Sequence, residues 1–230
     1  MDLPTLDFAS ARDHMVDSQI RPDRVVDPRI IRVMRTLPRE RFVPEAQASK
    51  AYIDEDVRLP GGRCLMEPRV LARLLQLMRF RSGERVLVVA SGPGYGAAVL
   101  ACCGADVTAL EEDEALLAIA RRALPSLAPK VKLETGPLRA GLKGPWDVIM
   151  IEGAVPEIPA AIGAELNPHG GRLVTVLAPP QGNGAPGLGK GVLAEPINPG
   201  SADIRLRAQP HFDCATPMIP AFLPPKRFQF

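Results

Sequence analysis

Aromatic side chains are scarce in this sequence: one Trp, two Tyr and seven Phe among 230 residues, or 4% of the chain. Proteins that bind single-stranded nucleic acid stack bases on such rings and carry an excess of basic charge. Here 28 Lys and Arg stand against 26 Asp and Glu, a formal net charge of +2, so no nucleic-acid partner is expected. There are only three histidines, and the four cysteines, Cys64, Cys102, Cys103 and Cys214, form no C-x-x-C pair. That spacing indicates neither a zinc site nor a disulfide framework, so the expectation is no metal and small buried thiols in a reducing compartment. No apolar run approaches the roughly 20 residues that span a bilayer. The opening Met1-Asp2-Leu3-Pro4 has neither the basic nor the apolar segment of a secretory leader. A cytoplasmic protein without a membrane partner is expected.

What is present reads as an α/β protein. Apolar residues make up 46% and charged residues 23% of the chain, an ordinary balance for a globular protein able to bury a core. Val26, Ile30, Ile31, Val33 and Met34 fall at helical spacing, with Asp27 as cap before Pro28. A second helix is predicted over 70–78, and the segment between them, bracketed by Pro38, Pro44 and Pro60, is expected to wrap rather than stack. Then the pattern alternates. Strands are predicted over 85–90, 106–110, 131–133, 146–151 and 171–177, and helices over 97–103, 114–124 and 159–166. Continuous apolar strands between helices imply a doubly wound, Rossmann-like parallel sheet. Residues 1–80 form a helical, wrapping extension in this reading, and 81–230 the core. The Gly- and Pro-rich stretch 179–191 reads as a loop or excursion, and 202–206 and 210–213 as C-terminal edge strands.

The first strand runs into Ser91-Gly92-Pro93-Gly94-Tyr95-Gly96. A glycine turn between a buried strand and a helix lets backbone approach a ligand beside the helix N-terminus, so Gly92 and Gly94 are candidate ligand contacts. The string also satisfies the dinucleotide fingerprint G-x-G-x-x-G/A, which keeps a nicotinamide oxidoreductase open as a reading. Glu111, 19 residues after Gly92 and at the end of the second strand, can accept two hydrogen bonds from a ribose diol. On that reading Glu111→Ala weakens nucleoside binding and spares the fold. Glu152 ends a later strand at the edge where α/β proteins bind ligands, and Glu67 precedes a proline in a covering loop. His169 and His211 stand alone and are expected at the surface, while Cys102-Cys103 are expected buried against the sheet.

Several segments together resemble the protein-L-isoaspartate O-methyltransferase family. They are Leu37-Pro38-Arg39-Glu40-Arg41-Phe42-Val43-Pro44, Ala51-Tyr52-Ile53-Asp54, Glu67-Pro68-Arg69, Val86-Leu87 through Tyr95, and Asp147 through Ile151 followed by Gly170-Gly171-Arg172-Leu173-Val174. The resemblance runs from about residue 12 to 180. It implies a class I fold, S-adenosylmethionine as cofactor, and methyl transfer to the carboxylate of isoaspartyl residues in protein repair, with a peptide, a protein or a small carboxylate as partner. It implies cofactor contacts at Gly92, Gly94, Tyr95, Glu111, Glu112, Leu138 and Glu152, with Glu67 as the candidate catalytic residue. The chain also departs from the family pattern. Val88 stands where the family has an acid, Ala90 where it has a glycine, Gly136-Pro137-Leu138 where it has G-D-G, and Met66 where it has a hydroxyl residue. Weakened cofactor binding is the expectation, and a methyltransferase-fold binding or regulatory module is the alternative.

Overall fold

The computed structural model describes residues 7–179, 187–201 and 203–223. It holds one seven-stranded sheet, preceded by an N-terminal region of short helices and a small hairpin. Asp7 caps helix α1 (Phe8–Met15) by accepting from the Ala9 and Ser10 amides, and the chain continues helically to Ile20. Helix α2 (Pro28–Thr36) starts where the sequence places it, with Asp27 accepting from the Arg29 amide and Pro28 in the first turn. Single-turn helices at Arg39–Phe42 and Glu45–Lys50 lead into the hairpin β1 (Val57–Arg58) and β2 (Cys64–Leu65), closed by the turn Pro60–Gly62. Helix α3 (Pro68–Leu77) follows.

Strand β3 (Arg85–Val89), helix α4 (Tyr95–Cys102), strand β4 (Asp106–Glu111), helix α5 (Glu114–Leu127) and strand β5 (Lys132–Thr135) form the first half of the sheet. Strand β6 (Val148–Val155), the short helix α6 (Ala160–Gly163) and strand β7 (Arg172–Leu177) continue it on the other side of β3. Strands β8 (Leu188–Pro196) and β9 (Leu206–Ala215) complete it, and the order across the sheet is β5-β4-β3-β6-β7-β8-β9. Strands β3 to β7 pair in parallel, while β7-β8 and β8-β9 pair antiparallel. The sheet is therefore mixed, a parallel core with an antiparallel edge.

Strand pleating divides the core in two. Val86, Val88, Val107, Ala109, Val148, Met150 and Val174 face a large cluster shared with Ile30, Met34, Phe42, Leu71, Leu74 and Leu116. Leu87, Val89, Leu110, Ile149, Ile151 and Leu173 face a smaller cluster of Leu138, Trp146, Ile162, Ile219 and Phe222. Among the described residues, the N-terminal region and α5 thus cover one face, and only α6 and short turns cover the other.

Some expectations shift. Beta-strand β6 runs four residues past the predicted end at Ile151, through Glu152 and Gly153, because β7 and a bridge to Met218 continue its pairing. The predicted helix over 159–166 shrinks to one turn. Leu188 to Gly191, read as part of a loop, open strand β8; the tail piece 210–213 lies within the longer β9, whereas of the piece 202–206 only Leu206 is strand, 203–205 are not, and residue 202 lies outside the described residues. Glycines there masked the alternation: Gly189 lies against Ala178 and Gly191 under the Phe212 ring, where a side chain has no room. Residues 180–186 of the predicted excursion lie outside the described residues. Cys103 and Cys214 are buried, but Cys102 is exposed on the outer side of α4, its thiol facing the Leu127 carbonyl. Among the described residues no helix is long and apolar enough to cross a membrane.

Candidate functional site

The glycine turn leaves β3 through a run of left-handed backbone: Ala90 at φ +59°, Gly92 at +56° and Gly94 at +91°. It is pinned at both ends, by the Ser91 amide on the Leu110 carbonyl at 3.1 Å and the Gly94 amide on the Ser91 carbonyl at 2.9 Å. A side chain at Gly94 would press into Leu124, so this glycine meets both a steric and a backbone requirement. The sequence argument attached no role to Gly96. A Cβ there would sit 2.5 Å from Glu152 Oε2, so Gly96 makes room for that carboxylate.

Ala90 is the strained member. A left-handed alanine costs about 1–2 kcal/mol, offset in part by the greater unfolded-state entropy of glycine. Ala90→Gly is accordingly expected to stabilise the fold by about 0.5–1 kcal/mol in denaturant melts. A lower melting midpoint for that variant would contradict this assignment of strain.

Glu111, at the carboxyl end of β4, is fully buried. Its Oε2 accepts from the Gly92 amide at 2.8 Å, and its Oε1 from the amides of Glu112 at 2.9 Å and Asp113 at 3.1 Å. Arg63, at the end of the turn that closes the β1-β2 hairpin, also donates through Nη1 to both carboxylate oxygens at 3.2 and 3.0 Å. Its Nη2 donates to the Ala90 carbonyl at 2.6 Å. The carboxylate thus ties the glycine turn to the start of α5, and its acceptor capacity is taken up by protein.

Glu152 lies on the same face of β6 as Met150, which pairs with Val88. It is buried beside the α4 N-terminus, and burial pushes its carboxyl up to about 8, with Glu111 adding repulsion and Arg63 and Arg39 opposing. Arg39 is also fully buried. Its Nε donates to the Ala51 carbonyl at 2.6 Å, its Nη2 to the Met66 carbonyl, and its guanidinium lies 4.8 Å from the Tyr95 ring centre. Tyr95 packs edge-on against Phe42 at 5.3 Å. Arg39 Nη1, Ser91 Oγ, Tyr95 Oη and Glu152 Oε2 are buried without a hydrogen-bond partner among the described residues. Buried polar atoms left unpaired are costly, and ones grouped around a ligand-type turn are the places a polar ligand repays.

The remaining candidates play different parts. Glu112 is exposed, and its Oε2 accepts from the Leu138 amide at 3.0 Å, which ties the loop after β5 to the end of β4. Leu138 itself is buried in the smaller core cluster. Glu67 stands at the start of α3 without capping it; its carboxylate meets Arg69, and its amide donates to Asp56 at 2.8 Å. Burial pushes the Glu67 carboxyl up to about 7 against the pull of Arg69, with Asp54 adding to the rise. Its side-chain contacts are thus with Arg69 and the 54–56 loop, not with the glycine turn. His169 and His211 are both exposed. Over the carboxyl edge, Ile219 donates to the Ala154 carbonyl at 2.9 Å, and Arg139 holds the Ala221 and Leu223 carbonyls at 2.6 and 2.8 Å.

Sequence reasoning missed Arg63 and underused Arg39. Nothing local separated Arg39 from Arg41, which lies between the same Pro38 and Phe42 and is exposed. Arg63 had only the preceding Gly61-Gly62, whose φ values of +67° and +71° shape the hairpin turn.

Comparison with known proteins places this arrangement. The family model for protein-L-isoaspartate(D-aspartate) O-methyltransferase matches residues 10–183. A protein-L-isoaspartate O-methyltransferase from Methylorubrum extorquens is 39% identical over 181 residues, covering 78% of this chain and 79% of the relative. One from Koribacter versatilis is 35% identical over 177 residues, with 76% and 79% covered. Among solved structures, a Plasmodium falciparum protein assigned to the same enzymes and crystallised with S-adenosyl-L-homocysteine superposes with a TM-score of 0.67. It is 17% identical, over 89% of this chain and 96% of that one, so its likeness is one of fold.

Proposed function

The chain belongs to the protein-L-isoaspartate(D-aspartate) O-methyltransferase family, and from that premise we propose that it methylates the free carboxylate of isoaspartyl residues in proteins or peptides, using S-adenosylmethionine. The observation that carries this reading is the joining of Gly92 to Glu111 at the carboxyl edge of a parallel sheet. Backbone suited to close approach and a ribose-type carboxylate share one hydrogen bond there.

The residues fit such a cofactor in kind. Four unpartnered buried atoms, Arg39 Nη1, Ser91 Oγ, Tyr95 Oη and Glu152 Oε2, supply donors and acceptors suited to a charged amino-acid tail. Gly92 and Gly94 would border that tail, Glu111 would hold the ribose, and Glu152 would face the ammonium group. The cofactor, when bound, supplies an electrophilic methyl group on sulfur. A substrate carboxylate is already ionised at neutral pH, so the chain need not remove a proton from it. Alignment and exclusion of water are what remain for the protein to provide. Met66, fully buried, contributes no hydroxyl, which places the positioning task on other groups.

A second reading, a binding module with little catalysis, is favoured by Val88. It is fully buried in an apolar cluster between Ala109 and Met150, and no carboxylate stands at that position. The two readings separate in one assay, in which an isoaspartyl peptide and its aspartyl counterpart are incubated with S-adenosylmethionine and analysed by mass spectrometry. The enzyme reading expects a base-labile gain of one methyl on the isoaspartyl peptide only. Titratable binding of S-adenosylhomocysteine without any ester would instead support the module, and binding of NAD(H) in its place would overturn both.

A further inference from the structure

Arg63 stands where a ribose would be read. Its Nη1 reaches both oxygens of Glu111 at 3.2 and 3.0 Å, while its Nη2 takes the Ala90 carbonyl at the head of the glycine turn. The ion pair is buried on both sides, with 7% of the Arg63 side chain and none of the Glu111 side chain accessible. A ribose diol offers a carboxylate O–H donors directed at its two oxygens; here the guanidinium directs N–H donors at the same two atoms. Glu111 also accepts three backbone amides, which leaves no acceptor geometry free for a diol while the arginine stays.

The arginine is delivered by a part of the fold that can release it. Arg63 follows the turn Pro60–Gly62, whose residues are all exposed, while Val57, Leu59 and Leu65 anchor the hairpin in the core and the Arg63 carbonyl accepts from the Leu59 amide at 2.9 Å, so the side chain is the part left to move. On the other side, Glu111 is fixed by backbone amides of the sheet edge and of α5. A swing of one side chain therefore opens the carboxylate without moving the sheet.

We propose that Arg63 is a built-in competitor for the ribose of the cofactor: it chelates Glu111 and must be exchanged for the nucleoside, which lowers cofactor affinity and makes this side chain the gate of the site. This rests on the methyl-donor reading above. Arg63 is a positioning residue here, since it acts through Glu111 rather than on the reacting atoms. The exchange restores a charge-assisted contact at Glu111 but strands a buried arginine unless its side chain turns to water beside the exposed Pro60–Gly62 turn. That cost is what sets the affinity.

The test titrates S-adenosylhomocysteine into the parent protein, Arg63→Ala and Arg63→Gln by calorimetry, with thermal melts to show that each is folded. Arg63→Gln keeps the length and a donor, and serves if the alanine variant does not fold. The exchange predicts a Kd lower by about tenfold or more in the variants, as expected when a competing charge-assisted contact is removed. Equal or weaker binding by a folded variant, with measurable binding by the parent, overturns the gate and leaves the methyl-donor reading standing. Failure of the parent and of every folded variant to bind at millimolar ligand overturns both.

Discussion

Glu111→Ala is expected to destabilise the fold by about 3–5 kcal/mol, the cost of leaving a buried charge without its partner. The reading from sequence alone treated Glu111 as a ligand contact whose loss the fold would not notice. The structure gives it a second task. Its carboxylate neutralises the buried guanidinium of Arg63 and satisfies the amides of Gly92, Glu112 and Asp113. Alanine strands all four groups at once. Guanidinium chloride melts of parent and variant measure this, and a midpoint shift equivalent to less than about 1 kcal/mol would contradict a structural role for the pair. Any binding assay on Glu111→Ala must therefore be read beside its stability.

The second large effect is a change of pH dependence in Glu152→Gln. A glutamate in an unfolded chain titrates near 4.3, whereas burial raises Glu152 to about 8. Between those values the folded state keeps a proton that the unfolded state has released. The carboxyl therefore imposes no penalty below about pH 4, and it opposes folding increasingly as pH rises, with the full penalty present above about pH 8. Glutamine is neutral throughout and nearly the same in size. The variant should match the parent at pH 4 and exceed it at pH 9 by on the order of 2–5 kcal/mol. Parallel stability profiles for the two proteins across that range would show that Glu152 is ionised in the folded state.

The sheet was legible because its strands announce themselves physically. Val86 to Val89 and Val148 to Ile151 are apolar without interruption, as strands covered on both faces must be, and Gly92 and Gly94 mark the turn where backbone turns left-handed. The antiparallel edge was harder to see: Gly189 and Gly191 read as loop residues, yet they are there because neighbouring side chains fill the space above them. The site divides in the same way. Glu111 and Glu152 could be placed from strand ends, since position along a parallel strand decides which edge a residue reaches. What those carboxylates touch could not. Arg39 and Arg63 come from a region without regular periodicity, and their burial depends on a fold of the 37–66 segment that no local pattern encodes. Glu67 shows the reverse case, where a plausible loop position turns toward Arg69 instead.

The account stands on one claim, that the glycine turn and Glu111 form the nucleoside end of a methyl-donor site. The most direct measurement is a crystal structure of the protein soaked or co-crystallised with S-adenosylhomocysteine. The predicted result has both ribose hydroxyls on the Glu111 carboxylate at about 2.5–3.0 Å, the amino-acid tail among Ser91, Tyr95 and Glu152, and the Arg63 guanidinium displaced toward the hairpin surface. Clear density for the nucleoside elsewhere on the protein, with Arg63 still chelating Glu111, would contradict it.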